Sequence, residues 1–289
     1  MGQLTRMGST TLRIRRALAY LAFTVATMPV QALGFILRAP WTLTLPLFYH
    51  RQCCRILGLK VRRIGQPVNG RPALFVSNHI SYTDIAVLGS LIAGSFVAKS
   101  EIAGWPFFGW LAKLQRSVFV DRQVRSTAQQ RDAIAERLAA RDALILFPEG
   151  TSGDGNFVLP FRSSLFSVVF GRGNDRPIAV QPVSIAYTRL DGLPIGRQLR
   201  PFFAWYGDMT LPPHLWRFLG LGTVEVVVEF HPPTAVAEWA SRKELAQFCY
   251  DKISSGTSRL LAGREGPAAA PPRPRSDVLP SDVRATAVG

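Results

Sequence analysis

Apolar and polar positions along this chain change period from block to block. Residues 73–76 and 143–147 are short, almost unbroken apolar runs, which predict strands buried on both faces. Residues 178–186 read as another strand, entered from a loop over 171–177. Val224, Val226, Val228 and Phe230 alternate with Glu225 and Glu229, the pattern of a half-exposed strand. Helical spacing appears between them. Ser126 and Gln129 make a capping box for a helix carrying Ile134 and Leu138 to about Arg141. Ser241 and Glu244 start a last helix whose buried stripe is Leu245, Phe248, Cys249 and Ile253. Strands alternating with helices place the chain in the α/β class.

The N-terminus follows another rule. Residues 17–37 carry no charge and are bracketed by Arg13, Arg15, Arg16 and Arg38; a second uncharged run covers 39–50. The first run is just long enough to span a bilayer. Pro29 and Gln31 interrupt it and cations flank both sides, so a re-entrant or interfacial helical hairpin is expected, with a single span as the next reading. A cleaved leader ending near Val30-Gln-Ala32 is the least favoured. The expected layout is a membrane-associated segment over 1–60, a catalytic domain over 61–262 and a disordered tail over 263–289. The tail's Pro, Ala and Arg cannot repay ordering entropy.

Composition narrows the partners. The 289 residues are 47% hydrophobic, with a formal charge of +15 and a pI near 10.8. That balance favours an anionic partner, and the scattered cations, with no zinc-finger or RNA-binding signature, favour an anionic membrane over nucleic acid. Three cysteines, two of them the adjacent Cys53 and Cys54, suit a reducing compartment. His50, His79, His214 and His231 show no metal-ligand spacing, so no metal is expected. Gly150-Thr-Ser152-Gly-Asp154 has aspartate where a nucleophile elbow needs glycine, which disfavours a serine hydrolase.

The chemistry concentrates in Asn78-His79-Ile-Ser-Tyr-Thr-Asp84, at the end of the first predicted strand. Five helical steps put His79 and Asp84 on different sides of a regular helix, so the pair must form where a loop enters a helix. Ser81 or Thr83 is expected to cap that helix. A histidine oriented by a carboxylate can take a proton from an alcohol. Taken alone, the spacing also fits a capping or solvated pair. Three further blocks accompany it: Val118-Phe-Val-Asp121-Arg122, Phe147-Pro-Glu149-Gly150-Thr151 and Ile178-Ala-Val-Gln-Pro182-Val183.

With these four blocks in order, over roughly residues 60 to 230, the chain resembles the glycerolipid acyltransferase family, whose best-known members acylate 1-acylglycerol-3-phosphate. The resemblance implies a mixed sheet flanked by helices, no cofactor, and an acyl thioester of acyl carrier protein or CoA as co-substrate. It implies that His79 is the general base and Asp84 its orienting partner. Asn78, Asp121, Arg122, Glu149, Gly150, Thr151, Ser152 and Arg162 would meet the lyso-lipid acceptor, Lys99 an anionic group, and Pro182 the acyl region. Read without the resemblance, Lys99 and Arg122 are solvated charges, Glu149 a helix-start acid and Pro182 an edge-strand proline.

Many phosphatidic-acid-forming relatives have arginine after Glu-Gly-Thr, where this chain has Ser152 leading into Gly153-Asp154. Serine cannot supply arginine's bidentate charge to a phosphate. That departure, with Trp205-Tyr-Gly-Asp208 and Pro213-His-Leu-Trp216, looks more like the lyso-ornithine-lipid branch, with phosphatidic acid synthesis as the alternative. A thioester needs no acyl-enzyme, so direct attack within a ternary complex is the expected scheme. The expected location is the cytoplasmic membrane, catalytic domain toward the cytosol. The aromatic runs over 102–111 and 201–206 are candidates for core or for an acyl-chain groove. A rival reading, a lipid-binding protein without turnover, would be marked by a broken base, and His79, Asp84 and Glu149 are all present.

Overall fold

The computed structural model describes residues 8–69, 72–120, 137–138, 142–170 and 178–264. They build a nine-stranded mixed sheet between helical layers. The order is β1 (Leu59–Ile64), β8 (Val224–Phe230), β6 (Ala179–Leu190), β2 (Ala73–Ser77), β5 (Ala143–Leu146), β3 (Ser95–Lys99) and β4 (Val118–Val120); β7 (Leu193–Pro194) and β9 (Thr234–Ala235) hang on β6. From β6 to β4 all pairs are parallel, β8 runs antiparallel to β6, and β1 runs parallel to β8. The expected α/β class and mixed sheet therefore hold.

Alternation along the strands sorts the two cores. Ala73, Phe75, Ile145, Val183, Ile185 and Tyr187 face one layer, and Leu74, Val76, Leu144, Leu146 and Val180 the other. The first layer packs under α2 (Leu45–Leu57), α3 (Thr83–Gly89) and α5 (Leu211–Leu219), which contribute Cys53, Leu57, Val87, Leu88 and Phe218. Helix α4 (Phe108–Leu114) lies beside them. The second layer packs under α6 (Arg242–Leu261) through Leu245, Cys249 and Ile253; Phe248 is only partly buried. Ser241 caps α6 as expected, accepting from Glu244 N–H.

Strand β8 is more buried than its alternation predicted. Glu229 is buried because α6 covers that face and Arg259 pairs with its carboxylate; only Glu225 stays partly exposed. The helix expected from Ser126 to about Arg141 lies outside the described residues apart from 137–138, as do the loop over 171–177 and the tail from 265.

At the N-terminus, α1 (Thr10–Ile36) continues through Pro29. It is long and apolar enough to cross a membrane. It nevertheless lies against the domain at both ends. Arg16 turns inward and donates to Leu219, Leu221 and Gly222 carbonyls at 3.3, 2.6 and 3.1 Å. Gln31 donates to Thr42 O at 3.0 Å and Leu114 O at 3.1 Å. Gly58 makes the Arg16 clamp possible, since its φ of +77° closes α2 and a Cβ there would sit 1.9 Å from Arg16 Nη2. The outward stripe of Ile14, Leu18, Leu21, Val25, Leu33 and Ile36 is exposed apolar surface, and it favours membrane association.

Candidate active site

Buried strand β2 ends at Ser77, and the next seven residues are held in place from three directions. Asn78, 2% exposed, spends both ends of its amide on β6: it donates to Ile185 O at 3.0 Å and accepts from Ile185 N–H at 2.8 Å. Asn78, suggested by the sequence as an acceptor contact, thus ties the histidine loop to the sheet. Glu149, 3% exposed, does the same from the end of β5. Its Oε1 accepts from His79 N–H at 2.8 Å and its Oε2 from Leu159 N–H at 3.0 Å. Both oxygens are thus bonded to main chain, which gives Glu149 a scaffolding role beside the acceptor role the sequence suggested. Burial pushes this carboxyl up to about 8, against the two N–H donors.

His79 and Asp84 meet where the loop enters α3, as the spacing required. His79 Nδ1 lies 2.8 Å from Asp84 Oδ2, which also accepts from Ile80 N–H at 2.6 Å and Ser81 N–H at 2.9 Å. The expected hydroxyl cap is absent. Tyr82 is the N-cap without a side-chain bond, Thr83 turns to Tyr187, and the Asp84 carboxylate reaches back to the loop amides instead. An ionised carboxylate only accepts, so a neutral imidazole bonded in this way donates from Nδ1 and leaves the Nε2 lone pair on the side away from Asp84. Phe147 stacks on the imidazole at 4.1 Å and 19°. The imidazole side chain remains 20% exposed, whereas Asp84 is fully buried.

The imidazole stands in the wall of an apolar cavity of about 490 Å³. That is within the size range of small-molecule sites. Ala17, Tyr20, Met28 and Gln31 of α1, Tyr49, His50 and Cys53 of α2, Ile85 and Ala86 of α3, and Phe108 and Leu111 of α4 line it, with Trp105, Phe107 and Trp205. The two aromatic runs divide accordingly: Trp105, Phe107, Phe108 and Trp205 line the cavity, Phe203 is core and Trp110 is 63% exposed. Sequence reasoning could not find the contributions from α1 and α2, because they depend on how the N-terminal helices fold back over the sheet. His50 sits among them as a neutral base, held down at about 4 by burial and bonded to Gln115.

The remaining expected site residues fall in several places. Gly150, with φ of +77°, turns the chain beside Arg162, whose Nε would lie 2.9 Å from a Cβ at that position. Arg162 and Thr151 are exposed, and Ser152 is buried with its hydroxyl donating to Trp205 O. Gly153 N–H donates to His79 O at 2.9 Å, which sets the segment before Asp154 against His79. Lys99 closes β3 with an exposed side chain beside the cavity residue Ala98. Pro182 does not border the cavity. It occupies a buried, central position on β6, paired with Val76, between Gln181 and Val183, and its neighbour Val183 takes the cavity-side face. It is therefore not an edge-strand proline. Asp121 and Arg122 lie outside the described residues. Among the described residues, no three His, Cys, Asp or Glu side chains converge on a metal position.

A carboxylate-oriented imidazole thus borders a partly open apolar cavity. The sequence profile of the Acyltransferase family matches residues 59–186. A lyso-ornithine lipid O-acyltransferase from Brucella abortus (strain 2308) is 43% identical over 255 residues, covering 87% of this chain and 96% of that protein. A 1-acyl-sn-glycerol-3-phosphate acyltransferase from Neisseria gonorrhoeae is 30% identical over 209 residues, covering 71% and 75%. The crystal structure of the 1-acyl-sn-glycerophosphate acyltransferase from Thermotoga maritima shares the fold, with a TM-score of 0.60 at 24% identity over 87% of this chain and 98% of that one. The chain belongs to the Acyltransferase family, and it is an acyltransferase.

Proposed function

We propose that this enzyme moves a fatty acyl group from an acyl thioester, of acyl carrier protein or CoA, to the free hydroxyl of lyso-ornithine lipid, giving ornithine lipid. The observation that carries the proposal is the 43% identity to a lyso-ornithine lipid O-acyltransferase along nearly that protein's whole length, joined to a His79–Asp84 pair that borders an apolar cavity. His79 Nε2 removes the hydroxyl proton, the oxygen attacks the thioester carbonyl, the C–S bond breaks, and the imidazolium returns its proton to the departing thiolate. Asp84 holds the ring and offsets its positive charge without itself taking the proton. No cysteine competes as nucleophile: Cys53, Cys54 and Cys249 are buried free thiols, the first two pushed up to about 12 and the third raised as well by burial.

Acceptor choice follows from the loop beside the base. An N-acylated ornithine carries one ammonium and one carboxylate. Both Asp154 oxygens accept from Asn156, Oδ1 from its N–H at 2.9 Å and Oδ2 from its side-chain amide at 3.0 Å, so such an ammonium would meet the outer lone pairs of this carboxylate, and Arg162, against Gly150, would offer a cation to the acceptor's carboxylate. A phosphomonoester would meet Asp154 as a like charge. The alternative acceptor is 1-acylglycerol-3-phosphate, which the Neisseria relative's name supports. Arg122 remains a proposed acceptor contact.

The same reading places the enzyme on the cytoplasmic membrane, with the α1 stripe in the lipid interface and the site facing the cytosol. Free buried cysteines and a thioester donor support that side. An acceptor panel of lyso-ornithine lipid, lysophosphatidic acid and lysophosphatidylcholine, each with both donors, tests the proposal. Transfer chiefly to lyso-ornithine lipid is expected; transfer to lysophosphatidic acid alone would overturn it.

A further inference from the structure

The two oxygens of Asp84 are used unequally. Oδ2 takes three N–H donors, while Oδ1 takes a single O–H donor, the Tyr187 phenol at 2.7 Å. That phenol comes from β6, 103 residues further along the chain. It is 2% exposed, so water has no room to replace it. Behind it, 2.6 Å from the phenolic oxygen, stands the Thr83 hydroxyl, 1% exposed. A carboxylate only accepts, so the phenol's one proton points at Oδ1 and Thr83 must donate its own to the phenolic oxygen. The order is fixed: Thr83 to Tyr187 to Asp84, with His79 on the carboxylate's other oxygen.

We infer that Tyr187 is a positioning residue for the acyl-transfer step: through Asp84 it sets how tightly His79 holds a proton, and Thr83 polarises it from behind. The inference rests on the base role proposed for His79. A hydrogen bond donated to a carboxylate disperses its charge and weakens its hold on an imidazolium. Removing the phenol would therefore concentrate the carboxylate's charge and strengthen its hold on a protonated ring. The phenol also fixes the carboxylate plane, and with it the direction of Nε2.

Other titratable groups face this assembly. Glu149 arrives from the end of β5, Cys54 from α2, and Tyr82 from the loop itself with its partner His214 of α5. Of these, Glu149 is pushed up to about 8 and His214 is lowered, both by burial. None of them is altered in the variants that follow, so a change in the acid limb belongs to the chain of hydroxyls.

The test is the pH dependence of kcat/KM for the full-length enzyme in lipid vesicles, with an acyl thioester and lyso-ornithine lipid, for wild type, Tyr187→Phe, Thr83→Val and Thr83→Ser, with His79→Ala alongside. Tyr187→Phe should move the acid limb up by about 0.5 to 1 pH unit. Thr83→Val should move it the same way by less, and Thr83→Ser should restore the wild-type profile. An acid limb that stays in place or moves down in Tyr187→Phe, even at a reduced rate, would overturn the inference and leave Tyr187 a packing residue. Full activity in His79→Ala would instead overturn the base assignment beneath it.

Discussion

Replacing Glu149 with glutamine separates two roles that the sequence could not. In the structure the side chain is 3% exposed and offers one oxygen to His79 N–H at 2.8 Å and the other to Leu159 N–H at 3.0 Å. Protonated or ionised, a carboxyl group keeps an oxygen in front of each donor. An amide cannot, because its nitrogen has no lone pair to offer, and one buried N–H would face another. An orphaned buried donor costs about 1–3 kcal/mol, so Glu149→Gln should lower unfolding free energy by about 2 kcal/mol. If the histidine loop yields instead, a displacement of about 1 Å at the base lowers kcat on the order of 10²-fold. Denaturant unfolding in matched detergent, with kcat and the acceptor KM measured in parallel, reads both effects. Wild-type stability and kcat with only a raised acceptor KM would refute the scaffold role and return Glu149 to the acceptor pocket.

Three other outcomes are expected. Trp110→Ser, at a ring 63% exposed and outside the cavity lining, should weaken vesicle binding without altering acyl-length preference, whereas Trp105→Ser, in the cavity wall, should change that preference; sedimentation with anionic vesicles and a donor chain-length series check both. Arg16→Ala removes three bonds from a buried guanidinium to carbonyls at and just past the end of α5 and should cost about 2–3 kcal/mol, read as a lower Tm and faster proteolysis near α1. His50 is held neutral down to about 4, while in the unfolded chain it takes a proton near 6.5. Below pH 6.5 the unfolded state therefore binds the proton the fold refuses, and stability should decline by roughly 3 kcal/mol between pH 6.5 and 4; a His50→Asn variant should lack that part of the slope in chemical unfolding measured across pH.

Much of the site was legible because its spacing is local. His79 and Asp84 sit five residues apart at a strand end, and a run such as 73–76 announces a buried strand by composition alone. What was hidden depends on register between distant segments. Asn78 looked like a ligand-binding amide, yet the pairing of Ser77 with Val183 brings Ile185 within its reach and consumes both its ends. Tyr187 reaches Asp84 through the same pairing. The alternation of Val183, Ile185 and Tyr187 would have placed the phenol on the cavity-side face once β6 was set beside β2. Glu229 misled for a simpler reason: a carboxylate at an alternating position reads as exposed until the helix that covers it brings Arg259.

The central claim is that the His79 imidazole, held by Asp84, removes the acceptor's proton. The direct measurement is the rate of acyl transfer by His79→Ala under saturating donor and acceptor, with the fold of the variant verified by its unfolding curve. A folded variant slowed by about 10²- to 10⁴-fold is the predicted result; a folded variant that transfers acyl groups at the wild-type rate would contradict the account.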